Sequence, residues 1–264
     1  MTRRTIARNA LRLAAFLVAI GAAQQAAAEK LVTSLSTYRV FITSNFTGAE
    51  LVLFGSIERD EATVARRGAY DIVVTVTGPR QTIMTRRKRR IAGIWVNAES
   101  RVFAEVPSFL AIRSNRPTAE IASPELLRRN QVGLDYIVLP QLIGGDVADV
   151  RHDDPFRMAF LRLQQEHGLY RERDNAVTFL TPTVFRATIT LPANVPIGNY
   201  DVDVKLFADG ALLARDPSAF ETAKVGFEQF VANAARDHGI VYGFSTAGMA
   251  LVIGWFASVI FRRD

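Results

Sequence analysis

The chain has 264 residues, 49% of them hydrophobic and 22% charged, with 17 glycines, 10 prolines and no cysteine. That composition excludes a disulfide-stapled mini-protein, a cysteine zinc site and a cysteine nucleophile, and it is too apolar for a disordered chain. The formal net charge of +6 sits at the ends. Between Glu29 and Gly239 stand 26 basic and 25 acidic residues, so the body lacks the basic excess of a nucleic-acid binder.

Residues 1–28 read as a signal peptide. Arg3, Arg4, Arg8 and Arg12 precede an apolar run of eleven residues, Leu13 to Ala23, and Ala26-Ala27-Ala28 supplies a small-residue cleavage site before Glu29. Thr2-Arg3-Arg4-Thr5-Ile6-Ala7-Arg8 approximates a twin-arginine pattern, so the general and the twin-arginine export routes both stay open.

Residues 29–217 read as a β-rich periplasmic region. Short β-like runs lie at 31–35, 38–42, 50–57, 70–77, 91–97, 101–106 and 109–113, punctuated by Gly48, Gly68, Gly78-Pro79 and Pro107. Tyr70, Ile72, Val74 and Val76 alternate with a mixed face, as in a half-buried strand. Leu51 to Phe54 is apolar on both faces and suits a central strand.

A helical insertion is expected over about 115–175. Ser123-Pro124 and Asp154-Pro155 are helix starts. Phe156, Ala159, Phe160, Leu163, His167 and Tyr170 follow helical spacing, and Gly168 can end the helix.

Strands return at 184–191 and 200–207, and Asp209-Gly210 makes a hairpin turn. Gly198 and Tyr200, after the loop Pro192 to Ile197, look like the tyrosine corner of an immunoglobulin-like sandwich, in which the phenol bonds back to the loop. Gly68-Ala69-Tyr70 echoes Gly198-Asn199-Tyr200, which leaves one or two sandwich domains open. Phe220, Ala223, Phe227, Phe230, Val231 and Ala234 fall near one stripe, so 218–238 is expected to be a membrane-proximal amphipathic helix.

Residues 240–261 are 22 consecutive uncharged residues. As a helix they span about 33 Å, enough for a bilayer core of ~30 Å. Arg262 and Arg263 in the 262–264 tail should stay cytoplasmic. Together with export of Glu29, this predicts a single-pass protein of the bacterial inner membrane with its bulk in the periplasm. Ala250, Gly254 and Ser258 recur every four residues and form a small-residue stripe suited to a partner helix.

Arg86-Arg87-Lys88-Arg89-Arg90 puts bases on both faces of a strand. That requires an edge strand or a protruding hairpin. Its uses are prevention of edge-to-edge aggregation, or contact with anionic lipid or an acidic partner. Gly243-Phe-Ser-Thr-Ala247 superficially matches a nucleophile elbow but lies inside the span, where that motif has no strand–turn–helix context. His152-Asp153-Asp154 fits no metal-binding spacing, and helix capping by Asp154 accounts for part of it. No catalytic, cofactor or metal residue is assigned.

Phe46-Thr-Gly-Ala-Glu-Leu-Val-Leu-Phe-Gly55, Ala92-Gly-Ile-Trp-Val-Asn97, and Val241-Tyr-Gly-Phe244 leading to Gly254-Trp255 carry a resemblance over nearly the whole length. The chain resembles a family of uncharacterised alphaproteobacterial transmembrane proteins with a signal, a β-rich outer region and one C-terminal span. The resemblance implies no activity and no functional residues; at most it implies an accessory role beside sulfite-exporter-like membrane proteins. The reading is therefore a mainly β protein: an immunoglobulin-like β-sandwich ectodomain with a helical insertion and a C-terminal transmembrane helix. It is expected to be a non-enzymatic binding module for an integral-membrane protein partner. The alternative is a periplasmic enzyme or small-ligand sensor that uses the insertion as a lid.

Overall fold

The computed structural model describes residues 29–58, 69–143, 146–149, 151–226, 235–236 and 238–260. The expected signal peptide at 1–28, the 227–234 part of the expected amphipathic helix and the 262–264 tail lie outside the described residues. Among these residues the fold is mainly β, in three sheets, with a C-terminal apolar helix.

The first sheet joins β1 (Lys30–Leu35), β3 (Gly48–Glu58), β12 (Val184–Pro192) and β11 (Val177–Phe179) in the order β1-β3-β12-β11, all antiparallel. The second has the order β10-β7-β4-β13-β14-β2. Its strands are β10 (Tyr170–Arg173), β7 (Leu110–Ser114), β4 (Asp71–Thr77), β13 (Gly198–Ala208), β14 (Ala211–Lys224) and β2 (Arg39–Ile42). Its inner pairs are antiparallel, and β10 and β2 join its two edges in parallel. Period-2 alternation gives each strand one apolar row. Leu51, Leu53, Ile57, Phe185, Ala187 and Ile189 from the first sheet meet Ile72, Val74, Val76, Val202, Val204 and Leu206 from the second in a closed core. Each Val, Leu, Ile or Phe among them contributes about 1.5–3 kcal/mol on burial.

The second sheet is also covered on its other face. Val73, Leu110, Ile112 and Phe207 pack there against Ile121, Leu127, Leu134, Ile137, Phe156 and Phe160 of the 115–175 segment. The alternation at 70–77 therefore does not mark a half-buried strand: Asp71, Val73 and Thr75 are buried as well. The opposite correction applies to β3. It is central in its sheet, but Phe54 on its outer row is 46% exposed, because nothing described covers that face.

The insertion is mixed rather than helical. It contains α1 (Thr118–Ile121), α2 (Pro124–Arg129), a 3-10 turn (Leu134–Tyr136), β8 (Pro140–Ile143), β9 (Asp146–Asp149) and α3 (Pro155–Glu166). Ser123 caps α2 through Leu126 N, and Asp154 caps α3 through Phe156 N and Arg157 N. Helix α3 stops one residue before His167, so Tyr170 is not on its stripe. Tyr170 opens β10, and its hydroxyl donates to Pro107 O at 2.6 Å. Phe160 stacks on Phe103 and meets Tyr170 edge-on, which ties α3 to the second and third sheets.

The third sheet has the order β5-β6-β8-β9, with β5 (Arg80–Ile91) and β6 (Ile94–Pro107) forming a long hairpin. Residues 91–97 are thus not one strand. Ala92 and Gly93, with φ of 49° and 86°, make a tight turn in their middle.

Residues 218–224 are not helical either: Phe220 and Ala223 belong to β14. Pairing with β13 on one side and β2 on the other overrides the local helical spacing. Pro217 is accommodated because β2 pairs only with 221–224, leaving that side of β14 open at Pro217. The second sheet accordingly runs to Lys224, beyond the boundary expected at 217.

Candidate functional site

Three features stand out from the buried body. The first is α4 (Gly239–Ile260). It is long and apolar enough to cross a membrane, and none of its spanning window is buried against the rest of the protein. A helix suits lipid because it satisfies its own backbone groups. Thr246 Oγ1 follows the same logic, donating back within the helix toward Tyr242 O and Gly243 O, each at 3.0 Å. Ala250, Gly254 and Ser258 lie along the exposed surface of this helix. A Cβ built on Gly254 would meet nothing within 4 Å.

The second feature is the β5–β6 hairpin. Arg86, Arg87, Lys88, Arg89 and Arg90 occupy β5, the outermost strand of the third sheet, and all five are exposed on both faces. Glu99 on β6 approaches Arg89 at 3.4 Å and Arg87 at 3.9 Å. Ile91, Ile94 and Trp95 surround the turn and are 51%, 66% and 67% exposed. The five bases were legible in the sequence; the apolar tip beside them was not, because residues 91–97 read as a strand of the body.

The third feature is a polar groove of about 450 Å³ between the second sheet and the insertion. Its floor carries Thr75, Asp201, Asp203, Lys205 and Arg215; Arg129, Gln131 and Val138 form a wall, and Arg80 stands at the hairpin root. Asp203 joins the ammonium of buried Lys205 to Arg215 Nε. Burial lowers the Lys205 pKa, and the bond to Asp203 opposes that shift. Thr75 Oγ1 is buried there without a hydrogen-bond partner. Asp201, Asp203 and Lys205 only alternate with the apolar row of β13 in the sequence and form no motif there; the overlying insertion turns that row into a groove.

The wall is rigidly held. Arg157 of α3 is buried, and its guanidinium donates to Ile137 O at 2.7 Å and Asp135 O at 3.2 Å, with Asp149 at 3.5 Å. Burial lowers its pKa, and Asp149 and Asp135 oppose that. At the other end of β4, buried Asp71 takes a two-pronged bond from Arg116 at 2.6 and 2.7 Å and a third from Asn115.

Gly198 and Tyr200 open β13. The Tyr200 hydroxyl donates to Pro196 O at 2.5 Å, and Thr222 Oγ1 donates to the same carbonyl at 2.9 Å. Gly198 backs onto Pro79: an added Cβ would lie 3.1 Å from its ring. His152 packs edge-on against Tyr136. Among the described residues no His, Asp and Glu group is arranged to hold a metal ion.

No curated protein matches the chain. A family model does, over residues 30–263, and it takes in every sheet described above together with α4. With one candidate C-terminal span and a match across nearly its whole length, the chain belongs to the family described as Putative transmembrane protein (Alph_Pro_TM).

Proposed function

We propose that this membrane protein is a single-pass, non-enzymatic binding module of the bacterial inner membrane, with its β-rich bulk in the periplasm and its C-terminus in the cytoplasm. The observation that carries this reading is α4: an apolar helix with no packed face, bearing Ala250, Gly254 and Ser258 where a second helix can approach closely. Arg262 and Arg263 favour the cytoplasm for the tail. Its partner is an integral-membrane protein, and a sulfite-exporter-like transporter is the partner class that the resemblance suggests.

The outer region is read as an immunoglobulin-like sandwich. The order β1-β3-β12-β11 has the pairing of strands A, B, E and D of that fold, and β7-β4-β13-β14 follows the C′, C, F and G order, with β2 parallel to the last. The Tyr200 bond to Pro196 O supports the same reading, since it sits at the start of the F-like strand. The parallel β10–β7 pair departs from that pattern.

The test is recovery of partners from detergent extracts with the full chain and with Gly254→Leu. Loss of a membrane-protein partner in the variant is expected. Recovery of the same partners from both would end the helix-groove idea. Cysteines placed in the tail and on β1, labelled with a membrane-impermeant reagent in intact spheroplasts, test the orientation: only β1 should react.

A second reading, small-ligand sensing, is favoured by the groove over Lys205, Asp203 and Arg215. The insertion then serves as a fixed wall rather than a lid, because a buried apolar row packs it on the second sheet and Arg157 ties its own segments together.

A further inference from the structure

We infer that the β5–β6 hairpin is an interfacial arm that docks its tip on an anionic phospholipid surface. Four observations converge. Ile91, Ile94 and Trp95 are gathered around the Ala92-Gly93 turn, all more than half exposed, while the body buries its apolar side chains in two cores. Exposed aliphatic and aromatic side chains clustered beside bases are the composition of a membrane–water interface.

The charge is one-sided. Between Met84 and Arg101 stand six basic residues and one acidic residue, Glu99, which neighbours only Arg87 and Arg89. An anionic headgroup layer is the complementary surface.

The bases alternate on both faces of β5, and β8 pairs with β6 only at Val102 and Phe103. Toward the tip, no third strand among the described residues runs beside the hairpin. A protein surface would engage one face of such an arm, whereas headgroups surround it and neutralise both.

The root of the arm lies at the end of the body from which β14 leaves toward α4. Thr77, three residues before Arg80, pairs with Asp201, and Gly198, beside Pro79, pairs with Thr222 near the close of β14. Fourteen residues separate Lys224 from Gly239, a reach of at most about 50 Å. The twelve residues of β5 measure ~40 Å. The arm and the tether to the span therefore start from one place, and the length of the arm lies within the maximum reach of the tether.

The experiment uses the full chain carrying Trp255→Phe, which leaves Trp95 as its only tryptophan. It is reconstituted in phosphatidylcholine vesicles with or without phosphatidylglycerol. With the anionic lipid, Trp95 emission should shift to the blue, resist acrylamide and be quenched by brominated lipid; salt at about 0.5 M should reverse this. The variant Arg86→Gln, Lys88→Gln, Arg90→Gln should weaken the effect about fivefold per charge removed. Equal acrylamide quenching in both lipids overturns the proposal. So does shielding that is insensitive to salt and lipid charge, or shielding that appears only when a second membrane protein is co-reconstituted, which assigns the arm to a protein. Salt reversal needs no arm variant, so the test stands even if the triple variant misfolds. Adding Gly254→Leu should leave Trp95 shielding unchanged, which separates failure of the arm from failure of the partner-helix reading.

Discussion

Strands β4 and β5 follow one another, separated only by Gly78-Pro79, yet they live in opposite environments. Six of the seven residues of β4 are buried, including Asp71 and Thr75, because one face meets the first sheet and the other meets the insertion. None of the twelve residues of β5 is buried. Both strands hold their backbone by antiparallel pairing, so pairing alone sets neither stability nor use. What covers the two faces decides that. The covered strand carries the fold, and the uncovered one presents charge to whatever lies outside.

That contrast can be broken most forcefully by placing the same charge in both strands. Val74→Asp puts a carboxylate between two sheets and should cost at least about 4 kcal/mol, leaving no folded protein. Met84→Asp, on the exposed strand, should stay within about 0.5 kcal/mol. Circular dichroism melts of the detergent-solubilised chain distinguish the two, and similar losses would refute the contrast.

Next comes the arginine pair that separates a covered base from a solvated one. Arg157→Ala strips donors from Ile137 O and Asp135 O and should destabilise by about 3 kcal/mol. Arg87→Ala should be silent in the same urea titration. A smaller steric effect is expected at Gly55 in β3, where an added Cβ would lie 2.1 Å from the buried Phe185 ring. Gly55→Ala should lose about 2 kcal/mol by overpacking, read as a lower urea midpoint.

Alkaline pH sharpens the comparison through groups only the covered region contains. Burial raises the phenol pKa of Tyr170 and Tyr200 above the ordinary value near 10. A raised folded pKa means that the stability each contributes is complete below pH 10 and drains away as pH climbs past it. Buried Arg113, lowered by desolvation to about 10 with Arg173 and Arg171 adding to the effect, works in the opposite sense over the same window. Arg157 and Lys205, also lowered by burial, act in the same sense as Arg113, so the share of a phenol is read by removing it. Above pH 10 the slope of urea midpoint against pH should become more positive in Tyr200→Phe, and an unchanged slope would show that this phenol is not held protonated by the fold. Least in size, Ala92→Asn relieves a left-handed alanine in the hairpin turn. It should slow amide hydrogen exchange in β5 and β6 by a few-fold without moving the global melt.

The expected sites were legible where the chemistry is local. Asp209-Gly210 forms its turn with φ of 50° and 76°, Ser123 and Asp154 cap their helices, and α4 follows from an uninterrupted apolar run. Reading failed where a distant partner decides. Phe220 and Ala223 have helical spacing, but β13 and β2 supply backbone partners that a fourteen-residue strand satisfies better. The groove over Lys205 and Asp203 was invisible because its wall comes from residues far away in sequence.

The amino-acid order by itself determined that this chain carries a membrane-length apolar helix behind a β-rich body, since hydrophobic run length and period-2 alternation are properties of neighbours along the chain. Tertiary structure alone decided which alternating strand is sealed on both sides and which stands bare. Burial depends on what folds over a surface, and for β4 that cover is supplied by strands β1, β3, β11 and β12 on one face and by residues 115–175 on the other.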